Sequence, residues 1–298
     1  MSITEAGIFR CESSVGGSED GSLAAERQIS ELEATIRQLQ QGAVESQSLI
    51  QMVVGQLRAA KPNAPAIYEG LTRVPDLQFY RASEHGDYLF SPWLGYGEFG
   101  ALLKEASQFS AISPERLWTL YTMASQALNL DGDLVECGVW RGGSAMLFSR
   151  LLHRADVREN RRLYLFDTFA GMPPTSQEHD PYYRGGEFAD TSAEAVLARL
   201  PHRQRVEIRK GFIPDTFAGL ENLRVSFAHV DVDIYDSIKA CCEFLYPRLV
   251  VGGIMVFDDY AWSTCAGARK AVDDYFAALP VRPLVLSNGQ AIVFKSRS

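Results

Sequence analysis

The chain has 298 residues, 46% hydrophobic and 22% charged, which is enough for one large domain with an accessory segment. Its formal net charge of -8 argues against nucleic acid as the main partner, because such proteins need a concentrated basic surface. No stretch approaches the roughly 18 apolar residues of a membrane span, and we expect no secretory signal in MSITEAGIFRCESS. The five cysteines are irregularly spaced without a CxxC pair, which predicts neither a zinc site nor disulfides and favours the cytoplasm.

Two N-terminal segments are predicted. Residues 1–22 are rich in Ser, Gly and Glu, a composition typical of disorder. Over residues 23–60, apolar side chains recur at the a and d positions of a heptad counted from Ile29, which predicts a coiled-coil helix. We expect the chain to self-associate through this helix. The alternatives are two shorter helices, because Gly42, Ala43 and Ser46 weaken the middle of the pattern, and an amphipathic helix that packs on its own domain.

Residues 61–112 are predicted to be a linker followed by an aromatic segment. KPNAP breaks the preceding helix, and FYRASEHGDYLFSPWLGYGEFG is too apolar for a solvated linker. The aromatic segment is predicted to be a lid or a substrate-facing element, with core packing of its rings as the alternative. A helix predicted over 114–128 then opens the last domain, residues 113–298.

Strand-like and helix-like segments alternate after residue 132. Strands are predicted at 134–139, 163–167, 205–209, 225–231 and 254–259, with a closing pair near PLVLS and AIVFK. Helices are predicted at 144–152, 192–200, 237–245 and 265–279. Short apolar strands separated by helices predict an α/β fold, a parallel sheet with helices on both faces. Ligands bind such sheets at the carboxyl ends of the strands, so functional residues should follow each strand.

The first strand leads into the glycine-rich turn VECGVWRGGS. Gly138, Gly142 and Gly143 would let the backbone turn tightly and approach a ligand, and Ser144 is placed to cap the next helix. Glu136 suits the ammonium group of a methionine-derived ligand better than it suits a pyrophosphate. The glycine spacing differs from GxGxxG, which argues against an NAD-dependent enzyme, although such turns also occur without ligands.

The second strand ends at Asp167 in LFDTFAGMP. A carboxylate at this place can accept hydrogen bonds from both hydroxyls of a ribose, as in nucleotide-binding α/β folds. The alternative is a local role in an Asx turn or a helix cap. We favour the ribose because the glycine-rich turn precedes it at the spacing typical of such folds.

Four carboxylates follow the fourth and fifth strands: Asp231 and Asp233 in HVDVD, and Asp258 and Asp259 in VFDDY. If these strands are parallel neighbours about 4.8 Å apart, the carboxylates repel one another unless a cation lies among them. An all-oxygen set favours a hard divalent ion, Mg²⁺ first, with Mn²⁺ or Ca²⁺ as alternatives. Otherwise these residues are separate helix caps, a role that we predict for Asp236.

Six segments, in this order and spacing, resemble the macrocin O-methyltransferase (TylF-type) family: ECGVWRGGS, FDTFAGMP, FADTS, KGFIPDTF, HVDVDIYDS and GGIMVFDDY. The resemblance covers roughly residues 117–294. It implies a metal-dependent S-adenosylmethionine enzyme that methylates a sugar hydroxyl of an antibiotic or another glycoside. It also implies the class I methyltransferase fold, a Rossmann-like sheet of seven strands whose last strand is antiparallel, here preceded by the coiled-coil helix.

The resemblance also implies a set of site residues. At the methionine end, the cofactor pocket would contain Glu136, Gly138 and Ser144. Asp167 would bind the ribose, with Thr168 and Asp231 also in the pocket. Asp190, Ser192 and residues 211–215 would lie near the adenine or the edge of the pocket. The metal would be held by Asp231, Asp258 and Asp259, and Asp233 is similar to the proposed general base. Related enzymes usually have Gly where this chain has Val232, a side chain expected to point away from both carboxylates in an extended strand.

The implied mechanism follows from charge. A divalent ion chelated by two neighbouring hydroxyls lowers the pKa of the one to be methylated, and Asp233 takes its proton. The oxyanion then attacks the sulfonium methyl in line. His229 is a rival base, but it precedes the strand end and is expected to be buried. Two other functions stay open: a catechol-type O-methyltransferase acting on a phenolic vicinal diol, and a non-catalytic cofactor-binding scaffold.

Overall fold

The computed structural model describes residues 27, 29–31, 77–82, 88–154 and 160–297. The predicted disordered segment, nearly all of the coiled-coil helix and the KPNAP linker lie outside these residues, so those assignments and self-association stay predictions. The chain divides into two units, Met1–Pro92 and Trp93–Ser298. Among the described residues, no helix is both long enough and apolar enough to cross a bilayer.

The described part of the first unit contains a short hairpin. Strand β1 (Tyr80–Ala82) pairs antiparallel with β2 (Tyr88–Phe90), after a 3₁₀ turn over Leu77–Phe79. Tyr80 lies opposite Phe90, and their ring centroids are 5.5 Å apart. Cross-strand aromatic pairs of this kind stabilise a two-stranded ribbon, so part of the predicted aromatic segment is a strand pair.

Seven strands among the described residues of the second unit form one mixed sheet. They are β3 (Asp133–Cys137), β4 (Leu163–Asp167), β5 (Val206–Lys210), β6 (Val225–Val230), β7 (Leu249–Phe257), β8 (Leu284–Val285) and β9 (Ala291–Phe294). The order is β5-β4-β3-β6-β7-β9-β8, with β9 antiparallel to both of its neighbours. This confirms the predicted seven-stranded sheet with an antiparallel last strand.

Helices cover both faces of this sheet, as predicted. They are α1 (Phe99–Ala106), α2 (Pro114–Ala127), α3 (Gly143–Leu151), α4 (Ala193–Arg199), α5 (Tyr235–Arg248) and α6 (Ala266–Ala277), with 3₁₀ turns at Pro92–Leu94, Arg203–Arg205 and Asp215–Phe217. One core cluster joins the sheet to α5 and α6, and the other joins it to the helices α1 to α4. Successive residues of β6, Phe227 and Ala228, belong to opposite clusters. A strand buried on both faces reads as a continuous apolar run, which is the pattern seen in the sequence.

The strand that carries the first two aspartates ends earlier than predicted. β6 stops at Val230, and the backbone then turns, with Ile234 N–H donating to Val232 O at 2.6 Å. Asp233 has a φ of +59°, a left-handed conformation that Asp tolerates better than most residues. The prediction that Val232 lies in an extended strand is therefore wrong; it packs partly buried against the α5–α6 core cluster.

The predicted cap of the next helix is also wrong. α5 begins at Tyr235, so Asp236 lies in its first turn, and the N-cap residue Ile234 has no polar side chain. Instead, the buried carboxylate of Asp180 accepts the Tyr235 N–H, at 3.1 and 3.2 Å to its two oxygens. Two negative charges at a helix N-terminus are favourable because they oppose the helix dipole.

Candidate active site

The carboxyl ends of β3, β4, β6 and β7 border a cleft of about 230 Å³ at one edge of the sheet. Of the residues predicted from the sequence, those that line it are Gly138, Gly143, Ser144, Asp167, Thr168, Asp231, Asp233, Asp258 and Asp259. Residues 211–213 of the predicted turn line it as well. Residues 109–112, the end of the predicted lid segment, are also in the lining. The other residues predicted for the ligand pocket, Glu136, Gly142, Asp190, Ser192 and residues 214–215, lie outside this lining.

The glycine-rich turn forms one wall of the cleft and needs its glycines for two close approaches. Gly138 has a φ of +84°, and a Cβ there would lie 1.7 Å from the carbonyl oxygen of Asp231. A Cβ on Gly143 would lie 2.4 Å from Ser110 Cβ, so the loop after α1 sits directly on the turn. Ser144, predicted as a cap, is instead inside α3, whose N-cap is Gly142.

Replacing Gly138 by Ala is expected to lower the free energy of unfolding by about 2–4 kcal/mol, because the new methyl group meets backbone and the positive φ is strained. The matched control is Gly186→Ala, which has a similar φ of +92° but nothing within 4 Å of the added Cβ. Chemical denaturation of both variants measures the difference. Equal losses would show that the approach of Asp231 to the turn is not tight.

Asp167 uses both carboxylate oxygens to hold the backbone around it. Oδ2 accepts the N–H groups of Val139 and Trp140 at 2.7 and 2.9 Å, and Oδ1 accepts the N–H of Phe169 at 2.6 Å. The last bond is the Asx turn considered as the alternative. Thr168 extends the same turn, accepting from Ala170 N–H at 3.1 Å and donating to Gly171 O at 2.6 Å. Asp167 therefore ties the end of β4 to the glycine-rich turn, and a ribose role stays a prediction.

Glu136 is fully buried behind the cleft, paired with His229. The Nδ1 atom of His229 lies 2.9 Å from Glu136 Oε1, and its Nε2 lies 3.5 Å from Asp258 Oδ1. Burial alone would lower the pKa of His229, but hydrogen bonding and charge from Asp258 and Glu136 raise it to about 9. His229 is buried as expected, and its raised pKa favours the imidazolium form, which does not suit a base.

Asp190 and Ser192, both predicted for the cofactor pocket, make structural contacts beside the cleft. Asp190 is exposed and accepts the Trp140 Nε1–H at 2.6 Å; this bond and an ion pair with Arg141 lower its pKa. Ser192 is the N-cap of α4 and accepts the N–H of Ala195 at 3.1 Å. Trp140 itself lines the cleft, so the hydrogen bond to Asp190 helps to fix the position of that ring in the lining.

The four strand-end aspartates come together as predicted, because β6 and β7 are parallel neighbours paired to their last residues. The pKa of Asp231 is raised well above its usual range by burial and by the charges of Asp258, Asp259 and Asp233. The pKa of Asp259 is raised by burial, then by Asp233 and Asp258. Among the described residues, nothing donates a hydrogen bond to the buried Oδ2 of Asp259. A bound cation would reduce the repulsion among these carboxylates.

Asp258 differs from its three neighbours because it already has cationic and amide partners. Arg116 on α2 donates to Oδ2, and Gln290 Nε2 donates to Oδ1 at 2.6 Å. Burial would raise the pKa of Asp258, but His229, Arg116 and Gln290 together bring it below the usual value. Neither partner is predicted from the sequence: Arg116 is 142 residues from Asp258, and no local motif marks it.

The donor atoms fall into two groups, in each of which they lie within 4.8 Å of one another. One group is His229, Asp231 and Asp258, and the other is Asp233, Asp259 and Cys265. The pKa of His229 is raised to about 9 by Asp258 and Glu136, and the pKa of Cys265 is raised to about 12 by burial and by Asp259 and Asp233. Hard divalent ions prefer oxygen ligands, so the carboxylates in these two groups are the donors that suit such an ion best.

The sequence matches one family model and several known O-methyltransferases. Residues 106–285 match the model of the family described as macrocin-O-methyltransferase (TylF). The chain is 35% identical over 154 residues to the 8-demethyl-8-(2,3-dimethoxy-alpha-L-rhamnosyl)-tetracenomycin-C 4'-O-methyltransferase of Streptomyces olivaceus, covering 48% of this chain and 58% of that protein. It is 32% identical over 165 residues to the demethyldecarbamoylnovobiocin O-methyltransferase of Streptomyces niveus, covering 51% and 61%.

The chain thus spans 58% and 61% of the length of these two curated relatives. Among solved structures, the O-methyltransferase NovP matches with a TM-score of 0.56 and 26% sequence identity. That match covers 63% of this chain and 83% of the NovP chain.

Proposed function

The chain belongs to the macrocin O-methyltransferase (TylF) family, and we propose that it transfers the methyl group of S-adenosylmethionine to a hydroxyl of a sugar in a glycoside or natural product. The observation that carries this proposal is the set of four aspartates that share one cleft with the glycine-rich turn. A relative named for methylation of a rhamnosyl compound supports a sugar as the acceptor.

The residues at the glycine-rich turn fit the cofactor. Gly138 leaves the floor of the cleft without a side chain, and Ser144 lies beside it in the first turn of α3. Within the part of the chain that the structure describes, nothing donates a hydrogen bond to the buried Oε2 of Glu136. Glu136 itself lies behind the lining of the cleft, so we propose that it acts on the ammonium group of the methionine through its neighbour Ser144, which lines the cleft. Trp140 and Phe212, which also line the cleft, offer ring surfaces for the adenine.

The carboxylates fit a divalent cation, and we propose Mg²⁺, with Mn²⁺ or Ca²⁺ as alternatives. Asp231 and Asp259 would hold it, because like charges surround both carboxylates and Oδ2 of Asp259 has no hydrogen-bond donor among the described residues. Asp258, the third predicted ligand, would contribute an ionised carboxylate that Arg116 and Gln290 hold in place. When bound, the cation would lower the pKa of an acceptor hydroxyl.

The chain's own residues then perform the proton transfer. Asp233 lines the cleft and would take the proton of the acceptor hydroxyl, because its carboxylate accepts a hydrogen bond from Tyr183 and pairs with no cationic side chain among the described residues. The resulting oxyanion would attack the methyl carbon of S-adenosylmethionine, so that an O–CH3 bond forms as the S–CH3 bond breaks and S-adenosylhomocysteine leaves. The apolar and aromatic lining, including Ile112, Phe166 and Met172, would exclude water from the step.

The proposal is tested by assaying methyl transfer from S-adenosylmethionine to glycosides with vicinal hydroxyls and, in parallel, to catechol. Methylation of a glycoside with little transfer to catechol is the expected result. Preference for catechol would support the phenolic alternative instead. Calorimetry that detects no binding of S-adenosylmethionine would contradict an enzymatic role and support the scaffold alternative.

A further inference from the structure

The connection between β4 and α4, residues 168–192, contributes to the lining of the cleft and contacts the proposed base. From it, the hydroxyl of Tyr183 donates to Asp233 Oδ1 at 3.0 Å. The thiol of Cys265 lies 3.5 Å from the same oxygen and 3.2 Å from the Tyr183 hydroxyl. Tyr183 is 7% exposed and Cys265 is 2% exposed, so both contacts are shielded from water.

Asp180 fixes this connection to the same piece of backbone that carries Asp233. Its carboxylate accepts the N–H of Tyr235, two residues after Asp233. Helix α6 can approach the connection closely because residue 267 is a glycine. A Cβ at that position would lie only 2.0 Å from Asp180 Oδ1. Asp180 O in turn accepts the N–H of Tyr183 at 3.3 Å. The position of the Tyr183 hydroxyl is thereby set relative to Asp233.

We propose that Tyr183, assisted by Cys265, is a positioning residue for the base, an inference that rests on the proposed methyl transfer. Asp233 follows a strand end and has a left-handed backbone, so no strand pairing orients its side chain. Both contacts engage Oδ1 and hold the carboxylate at one rotation, which leaves Oδ2 for the proton of the acceptor hydroxyl. Tyr183 keeps its own proton throughout, since it acts as a donor before and after the transfer.

The test compares Tyr183→Phe with Tyr182→Phe, which removes a hydroxyl from the neighbouring, 65% exposed tyrosine. We expect kcat to fall about tenfold or more in Tyr183→Phe, with the Kd of S-adenosylmethionine unchanged and Tyr182→Phe like the wild type. A purely structural role would instead lower Tm and weaken cofactor binding together. Equal kcat values for the two variants would overturn the proposal.

Two further measurements separate this proposal from the proposed function. Crystal structures of both variants should show the Asp233 carboxylate rotated or disordered in Tyr183→Phe only, a readout that needs no turnover. An unchanged Asp233 would overturn the positioning role, whereas a wild type that transfers no methyl group would contradict the function. Among the Cys265 variants, Cys265→Ser, which keeps a donor, should retain more kcat than Cys265→Ala; equal losses would exclude assistance by the thiol.

Discussion

Replacing Asp233 by Asn is expected to lower kcat by about 10²- to 10⁴-fold, the usual contribution of a general base. Asn keeps the size of the side chain and can still accept from Tyr183 and Cys265, so the local structure should survive. The amide cannot take the proton of the acceptor hydroxyl. Steady-state kinetics with calorimetry should therefore show lost turnover with nearly unchanged Kd for S-adenosylmethionine.

The control for this variant is Asp236→Asn, the same substitution three residues along the chain. Asp236 is exposed in the first turn of α5 and does not line the cleft. Its loss should leave kcat within about twofold of the wild type. Near-normal turnover in Asp233→Asn would remove Asp233 from the mechanism.

Replacing Asp259 by Asn should abolish the response to metal while making the metal-free protein more stable. Asp259 is buried among like charges, and its Oδ2 has no hydrogen-bond donor within the described residues. The Nη1 atom of Arg116 lies 3.8 Å from Oδ1 of Asp259, but it lies closer to the carboxylate of Asp258. In EDTA, removing the negative charge should raise the free energy of unfolding by about 1–2 kcal/mol and Tm by several degrees.

The pH dependence of this gain has a defined sign. The pKa of Asp259 is raised from its ordinary 3.8 in the folded protein, so the ionised carboxylate costs stability above that pH. At lower pH the side chain is protonated in both the folded and the unfolded state, and the cost vanishes. The advantage of Asn in EDTA should therefore grow as pH rises above 3.8.

Thermal unfolding with and without Mg²⁺, across this pH range, measures both effects. Mg²⁺ should raise the Tm of the wild type and of Asp236→Asn but should leave Asp259→Asn nearly unchanged. A lower Tm for Asp259→Asn in EDTA would mean that its carboxylate is compensated without a cation.

The sheet could be predicted from the sequence because each central strand is buried on both faces and appears as an uninterrupted apolar run. Boundaries were harder where glycine interrupts a strand. β7 was predicted to begin at 254, yet it begins at Leu249, because Gly252 and Gly253 within it carry no apolar signal. Helix α1 is not predicted from the sequence either. Phe99 and Ala106 are fully buried in it, but the glycines around it give the segment the composition of a loop.

The carboxylates of the candidate site could be predicted because parallel strands bring their ends to one edge. Their partners could not, since each comes from a distant part of the chain. Tyr183 is 50 residues from Asp233, and Glu136 is 93 residues from His229. For Asp167, the residue type fits both a ribose and an Asx turn, and the backbone geometry that favours the turn is absent from the sequence.

The central claim is that the clustered aspartates hold a divalent cation that methyl transfer requires. The most direct measurement follows transfer of a labelled methyl group from S-adenosylmethionine to a glycoside, first in EDTA and then after addition of Mg²⁺. The claim predicts loss of transfer in EDTA and recovery with Mg²⁺ in the wild type, with no recovery in Asp259→Asn. Equal rates of glycoside methylation in EDTA and in Mg²⁺ would contradict it.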